Sequence, residues 1–341
     1  MAKSELHANI PVFVPHLACP NDCVFCNQRR ISGTAEVMSD VYGFLSNAAS
    51  ELDEKFTSAE IAFFGGSFTG IGEPEMRRYL GAAKKVIEEN PKIKGIRLST
   101  RPDYIDREIL DILKEYGVTA VELGAQSFCD DVLALSRRGH SAKDIENASK
   151  LIKEYGFSLV LQLMTGLPGD TREKTMFTAK SAAELVPDAV RIYPCVVVKD
   201  TCLAEMAQRG EYEPLTVDEA VFRAAEMAEI FIEKDIKILR IGLHSSDLVR
   251  DDSVLGGGFH PALGEMVLSR LYLKEAENQI SAEFCGRNVF FEVEKGCISK
   301  MNGQKRQNIL YLEEKYGIKA KTVETSFLPA GVRYVNVKTF Q

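Results

Sequence analysis

IPVFVPHLACPNDCVFC, residues 10 to 26, sets an apolar, β-branched run against three cysteines spaced C-x3-C-x2-C, and the fold is read outward from it. A run of Ile, Val and Phe ending in a polar, cysteine-bearing loop is the pattern of a buried strand with chemistry at its C-terminal end. The pattern then repeats. EIAFFGGSF (60–68) runs into a Gly-Gly turn, GIRLST (95–100) into Arg-Pro-Asp-Tyr, VTAVELGAQS (118–127) ends on Gln-Ser, SLVLQLMTGLPG (158–169) closes on Gly-Leu-Pro-Gly, and AVRIYPCVVV (189–198) is the sixth run. Helical segments are predicted between them over 40–56, 74–89, 106–116, as a pair across 130–155, and over 171–185. Alternating strands and helices predict an α/β fold with a parallel sheet, whose functional loops gather at one strand edge. A partial (βα)6 TIM-like barrel and an open doubly wound sheet both satisfy this periodicity.

The chain has 341 residues, room for one large domain or a large one with a small one. A hydrophobic fraction of 45% with 27% charged residues excludes a disordered or collagen-like chain, and a net charge of −7 excludes a generally basic, nucleic-acid-coating surface. No stretch approaches the roughly 20 apolar residues of a membrane helix, so no membrane partner is expected. The start, MAKSELHANIPVF, lacks the apolar centre of a secretion signal. A cytoplasmic location is therefore expected, where thiols stay reduced and clustered cysteines act as metal ligands or catalytic groups.

Cys19, Cys23 and Cys26 are the clustered ones; Cys129, Cys195, Cys202, Cys285 and Cys297 stand apart and read as small buried hydrophobes. A closed zinc site takes four ligands, usually in two pairs, and the sequence offers no second C-x-x-C or H-x3-H. Three local thiolates suit an iron–sulfur cluster with one iron left open, although a purely structural or delivery site for zinc or a cluster is the non-enzymatic reading. His16 reads as a hydrogen-bonded structural residue rather than a fourth ligand.

Longer helical segments follow, 217–234 and 261–280, flanking Gly256-Gly257-Gly258 and His260, which have no assigned role. Three regions are thus expected: a barrel over 1–215, a helical extension over 216–285 and a small α+β tail over 286–341. The tail carries ten Lys and Arg against five Asp and Glu, so it is +5 on a body of −12. Such polarity localises phosphate binding to one end, or is simply a solvated basic face. ISKMNGQKRQNILYLEEKYGIKAKTVE (298–324) looks like a KH core, in which a G-x-x-G loop between two helices clamps a nucleic-acid backbone. The loop is Gly303-Gln304-Lys305-Arg306, with Arg306 in place of the second glycine. Lys305 and Arg306 are the expected RNA contacts.

The cysteine spacing, with Phe25 before the last cysteine, and the Gly65-Gly66-Ser67 turn after the second strand resemble the radical S-adenosylmethionine (SAM) superfamily. Within it STRPDYI, VELGAQS, RRGH, LMTGLPGDT and RIYPCVVVKDT are similar to the radical SAM part of the Elongator catalytic subunit, over roughly residues 10–215. A weaker likeness is to oxygen-independent coproporphyrinogen oxidase, which would imply a small-molecule substrate. The resemblance implies a partial barrel of the radical SAM type and a 4Fe-4S cluster on Cys19, Cys23 and Cys26. It also implies SAM cleaved reductively to a 5′-deoxyadenosyl radical, an electron donor of the flavodoxin or ferredoxin type, and tRNA or another RNA as substrate.

It further implies SAM contacts from Phe25, Gly65, Gly66 and Ser67, from Gln126 to the ribose and Arg138 to the carboxylate, and from Ser99 and Gln162. Glu122 is either a buried carboxylate near the adenosyl group or a salt-bridge partner, and Arg101 either borders the pocket or pairs with Asp103. No Gly-rich coenzyme A loop follows residue 215, so acetyl transfer by this chain alone is not expected.

Overall fold

The computed structural model describes residues 6–14, 23–26, 38–243 and 253–339. In chain order its elements are β1 (His7–Val14), α1 (Val41–Ser50), β2 (Ser58–Gly65), α2 (Glu73–Glu89), β3 (Ile93–Thr100), α3 (Arg107–Glu115), β4 (Val118–Gln126), α4 (Asp130–Leu135), α5 (Ala142–Glu154), β5 (Ser158–Thr165), α6 (Arg172–Glu184) and β6 (Ala189–Pro194). There follow β7 (Val196–Val198), α7 (Cys202–Gln208), α8 (Val217–Glu233), β8 (Lys237–Ile241), β9 (Val254–Gly257), α9 (Leu263–Gln279), β10 (Asn288–Glu294), α10 (Ile298–Asn302), α11 (Gln307–Tyr316), β11 (Lys319–Thr325) and β12 (Val335–Thr339).

Seven strands pair in parallel in the order β1-β2-β3-β4-β5-β6-β8 and curl into a half-barrel. The expectation of six strands is corrected: β8 lies within the segment read as a helical extension and continues the sheet beyond β6. Its register shifts between Val190 and Arg191, so Val190 faces Ile238, Arg191 faces Arg240, and Leu239 is the extra residue. The single run read over 189–198 also divides. Proline has no N–H to give a ladder, β6 ends at Pro194, and β7 leaves the sheet to pair antiparallel with β9.

Local sequence explains the helices. Ser141 with Asp144 and Thr216 with Glu219 form capping boxes at the starts of α5 and α8, while Asp106 and Thr171 cap α3 and α6. These helices bury one side against the outer face of the sheet. Ile61, Phe63, Leu98, Val121, Leu123, Leu161 and Ile192 meet Leu80, Leu110, Ile145 and Phe231 in one apolar core, with Phe63 stacked on Phe68 at 4.6 Å.

The glycine run acquires a structural reason. A Cβ on Gly257, at φ +96°, would stand 2.5 Å from the Cys195 carbonyl oxygen, and one on Gly258 would stand 2.5 Å from Pro194 Cβ. Only glycine lets this ribbon lie so close to the end of β6. His260 accepts the Ala262 N–H on Nδ1 at 3.0 Å, fixing the turn just ahead of α9.

At the C-terminus β11, β10 and β12 form a second sheet, with β10 parallel to β11 and antiparallel to β12. Two helices, α10 and α11, lie within the segment read as a KH-like core. Helix α9 serves both bodies: Leu263, Val267 and Leu271 join the barrel core, and Tyr272, Ala276 and Ile280 join the core of Val289, Phe291, Met301 and Leu312. Asn308 fastens the joint, its Nδ2 donating to Ser269 and to the Met301 carbonyl. No described helix is long and apolar enough to cross a membrane.

Candidate active site

Cys23 and Cys26 lie at the C-terminal edge of the half-barrel; Cys19 and His16 lie outside the described residues. The segment between the two cysteines is held from both sides. Val24 N–H donates to the Ser136 carbonyl at 3.2 Å, and Leu203 N–H at the start of α7 donates to the Val24 carbonyl at 2.7 Å. The Val24 side chain is buried in a small separate core with Val132, Leu167, Cys195, Val197, Leu203 and Tyr212, against which Phe25 packs. Sequence reading placed Phe25 at the cofactor; its described neighbours are this core. Val24, Ser136 and Leu203 were not singled out, because positioning through backbone groups leaves no motif.

Arg138 is buried, with Nη1 3.2 Å from Cys23 Sγ and Nη2 donating to the Gly124 carbonyl at 2.7 Å. His140 Nε2 lies 3.2 Å from the next carbonyl, that of Ala125. The RRGH turn therefore grips the end of β4 at two successive peptides. Burial first, and then the Arg138 charge, lower the His140 pKa to about 4, so the ring is neutral at pH 7. The next residue, Gln126, has a left-handed φ of +66°, and its buried Oε1 has no hydrogen-bond partner among the described residues. A Cβ on Gly124 would stand 3.0 Å from Gln126 Nε2 and 3.2 Å from Arg138 Nη2, so glycine is what leaves that space open.

Gly65, at φ +100°, and Gly66 end β2 beside this edge. Ser67 is occupied structurally: its Oγ lies 2.8 Å from Thr100 Oγ1 and accepts the Arg101 N–H at 3.0 Å. Arg101 settles as the buried bidentate partner of Asp103, at 2.9 and 2.7 Å. Asp170 organises the GLPG turn, accepting from Gly166 N–H at 2.7 Å and Thr175 Oγ1 at 2.8 Å, and burial pushes its carboxyl pKa up.

Ser99 and Gln162 stand with a second group, deeper along the strands. Glu122, fully buried, accepts from Arg97 Nη1 at 3.0 Å, Arg191 Nε and Nη2 at 2.9 and 3.1 Å, and Gln162 Nε2 at 2.9 Å. Gln162 Nε2 also lies 3.2 Å from Ser99 Oγ, and Arg97 Nε reaches Glu60 at 2.7 Å. Glu122 is thus a salt-bridge hub on the inner face of the sheet. Phe64 lies beneath the Arg191 guanidinium, 5.9 Å from ring centroid to cation, and pairs in register with the half-exposed Phe13. The signal for this cluster was in the sequence: Glu60, Arg97, Glu122, Gln162 and Arg191 interrupt otherwise apolar strands at inward-facing positions.

Among the isolated cysteines, Cys195 is fully buried and its thiol is pushed by burial up to about 12; Cys129, Cys202 and Cys297 are partly buried. The reading of Cys285 as buried is corrected, since it is exposed.

The description of the radical SAM superfamily matches residues 13–182, and that of the radical SAM C-terminal domain matches 187–273. The chain belongs to the radical SAM superfamily. A tRNA uridine(34) acetyltransferase from Methanocaldococcus infernus is 36% identical over 168 residues, 46% of this chain and 31% of that protein. The heme chaperone HemW of Bacillus subtilis is 30% identical over 171 residues, 50% of this chain and 44% of that one. The solved structure of the archaeal M. infernus Elp3, with its N-terminus (1–46) deleted, superimposes with a TM-score of 0.63 at 24% identity, covering 83% of this chain and 66% of that one. This radical SAM chain therefore spans about a third of the length of one of these curated relatives and less than half of the other.

Proposed function

We propose that this chain is a radical SAM enzyme that modifies RNA, with tRNA as the substrate class. The observation that carries the reading is the pairing of two parts in one fold: a cysteine-bearing half-barrel edge, and a basic module with two adjacent left-handed residues in its helix–helix loop. Lys305 has φ +49° and Arg306 φ +63°, both exposed. Non-glycine residues at such angles store strain and gather at ligand clamps. Arg306 takes the left-handed backbone conformation at the position where a G-x-x-G loop would have its second glycine, and adds a guanidinium suited to phosphate. Similarity to a tRNA uridine(34) acetyltransferase supports the same substrate class.

The residues suit the implied cofactors. Cys19, Cys23 and Cys26 would hold a 4Fe-4S cluster. The orphaned Gln126 Oε1 is an acceptor for a ribose hydroxyl, Gly65 and Gly66 present no side chain where the methionine end of SAM would lie, and the Arg138 guanidinium places positive charge beside Cys23. Bound there, the cluster and SAM would supply the radical chemistry that abstracts hydrogen, given an electron from a flavodoxin- or ferredoxin-type donor. The chain's own part is to bind, orient and enclose: the Glu122 hub fixes the inner wall, and the Val24 core closes the back of the cysteine segment.

The test is anaerobic reconstitution followed by dithionite and SAM, with 5′-deoxyadenosine measured with and without bulk tRNA. Formation that rises several-fold with tRNA is the expected result. Formation indifferent to tRNA overturns the RNA reading in favour of a small molecule, and no formation with a full cluster overturns the enzymatic one.

A further inference from the structure

Among the described residues, the inner face of the half-barrel holds three arginines, Arg97, Arg191 and Arg240, against two carboxylates, Glu60 and Glu122. The first two arginines are accounted for: Arg97 bridges Glu60 and Glu122, and Arg191 is bidentate to Glu122. Arg240 differs. It lies on the edge strand β8 in register with Arg191, and among the described residues it makes no ion pair or hydrogen bond to an acidic group. The cleft along the outer edge of β8, which Arg240 also borders, contains one carboxylate among the described residues, Glu265, and no ion pair joins the two.

Its orientation is imposed by the backbone. Ile238 and Ile241 pack toward the core shared with α8 and α9, and strict alternation after Ile238 would put Leu239, not Arg240, on the inner face. The register shift at Val190/Arg191 inserts Leu239 as an extra residue and carries Arg240 round to the Arg191 side. Bulges of this kind re-aim a side chain beside a site. Tyr193, two residues beyond Arg191 on the same face of β6, is near enough to feel the Arg240 charge. Cations at paired positions of adjacent strands repel unless an anion lies between them, and Glu122 is already saturated by four donors from three residues.

We infer that Arg240, with Tyr193 beside it, is the anion-binding residue of the substrate pocket and takes a phosphate of a nucleotide substrate at the open edge of the half-barrel. The inference rests on the RNA reading above and names the residue that would hold the substrate there. It involves no group outside the chain beyond that phosphate.

The test uses the reconstituted full chain and arginine labelling with phenylglyoxal, read by peptide mass spectrometry, with Arg77 on α2 as the reference. Inorganic phosphate and bulk tRNA should each slow labelling of Arg240 at least fivefold and leave Arg77 unchanged, while acetate at equal ionic strength should not. By calorimetry Arg240→Gln should weaken inorganic phosphate binding about tenfold, and Arg240→Lys should recover part of the loss. Equal protection by acetate and phosphate without protection by tRNA overturns the nucleotide assignment. Labelling unaffected by phosphate and tRNA overturns the site altogether. Wild-type protein that forms no 5′-deoxyadenosine fails the underlying reading; protein that forms it while Arg240 stays unprotected fails this inference alone.

Discussion

At the scale of single residues, the site divides into groups that hold and groups that are held. Glu122 holds: it is fully buried and keeps Arg97, Arg191 and Gln162 in one arrangement. Removing its charge leaves the mostly buried Arg191 without its carboxylate and Arg97 with Glu60 alone, so Glu122→Gln should lower stability by about 3 kcal/mol, measured by urea titration. The cysteines are held. Cys23→Ala or Cys26→Ala should cut bound iron to about a tenth of wild type while the far-ultraviolet circular dichroism stays native, because the Val24 backbone bonds and the buried Val24 side chain hold the segment without either thiol. His140 gives a pH signature. Its folded pKa, lowered to about 4, lies below the unfolded value near 6.5, so between these the unfolded chain binds more protons and stability falls as pH drops. The loss amounts to roughly 3 kcal/mol by pH 4 and is absent above about pH 7. His140→Gln should flatten this acid limb in melting curves from pH 7.5 to 4.5, and an unchanged limb would assign it to other groups.

At the scale of elements, what was legible depended on whether an element announced itself by apolar content. The strands β1 to β6 were readable because their outer faces are unbroken Ile, Val, Leu and Phe and their ends are Gly or polar turns. KILRI, the strand β8, was not: five residues with a cation near each end carry no apolar run, and only tertiary pairing with β6 makes them a strand. The split between β6 and β7 was hidden by the opposite cause, an apolar run that continues through Pro194 into a different sheet. The cysteine loop and its glycine turn were legible as motifs, whereas the Val24 core and the Glu122 hub needed residues far apart in sequence. The 303–306 loop allows a prediction of its own. Each left-handed non-glycine residue costs about 1–2 kcal/mol, so Arg306→Gly should relieve most of that at one position. After the greater freedom of glycine in the unfolded chain is subtracted, a net gain of about 0.5–1 kcal/mol remains. If Arg306 is kept for phosphate, the same variant should bind tRNA about three- to tenfold more weakly, giving opposite signs in a melt and in a filter-binding assay. Loss of stability together with unchanged binding would make the loop an ordinary turn.

At the scale of the whole molecule, charge is arranged against bulk affinity and for orientation. The 286–341 module is +5 on a body of −12, and α9, with Leu263 to Leu271 in one core and Tyr272 to Ile280 in the other, sets the module against the barrel. That dual role was invisible in sequence, since a helix burying successive segments in two cores reads as one long amphipathic helix. A polyanion is repelled by the body at long range and attracted by the module, so contact is expected to be made through few cations and to be steeply salt-dependent. Each phosphate contact contributes about 0.7–0.9 to the slope of log affinity against log salt. Replacing both Lys305 and Arg306 by Gln should therefore reduce that slope by about 1.5, while Lys143→Gln on the outer helix α5 should leave it unchanged. The comparison isolates the loop from overall charge, because the single Lys143 change alters net charge without touching the module. Equal slopes for wild type and the double variant would mean that the module's charge is solvated and that RNA, if bound, is held by the half-barrel edge alone.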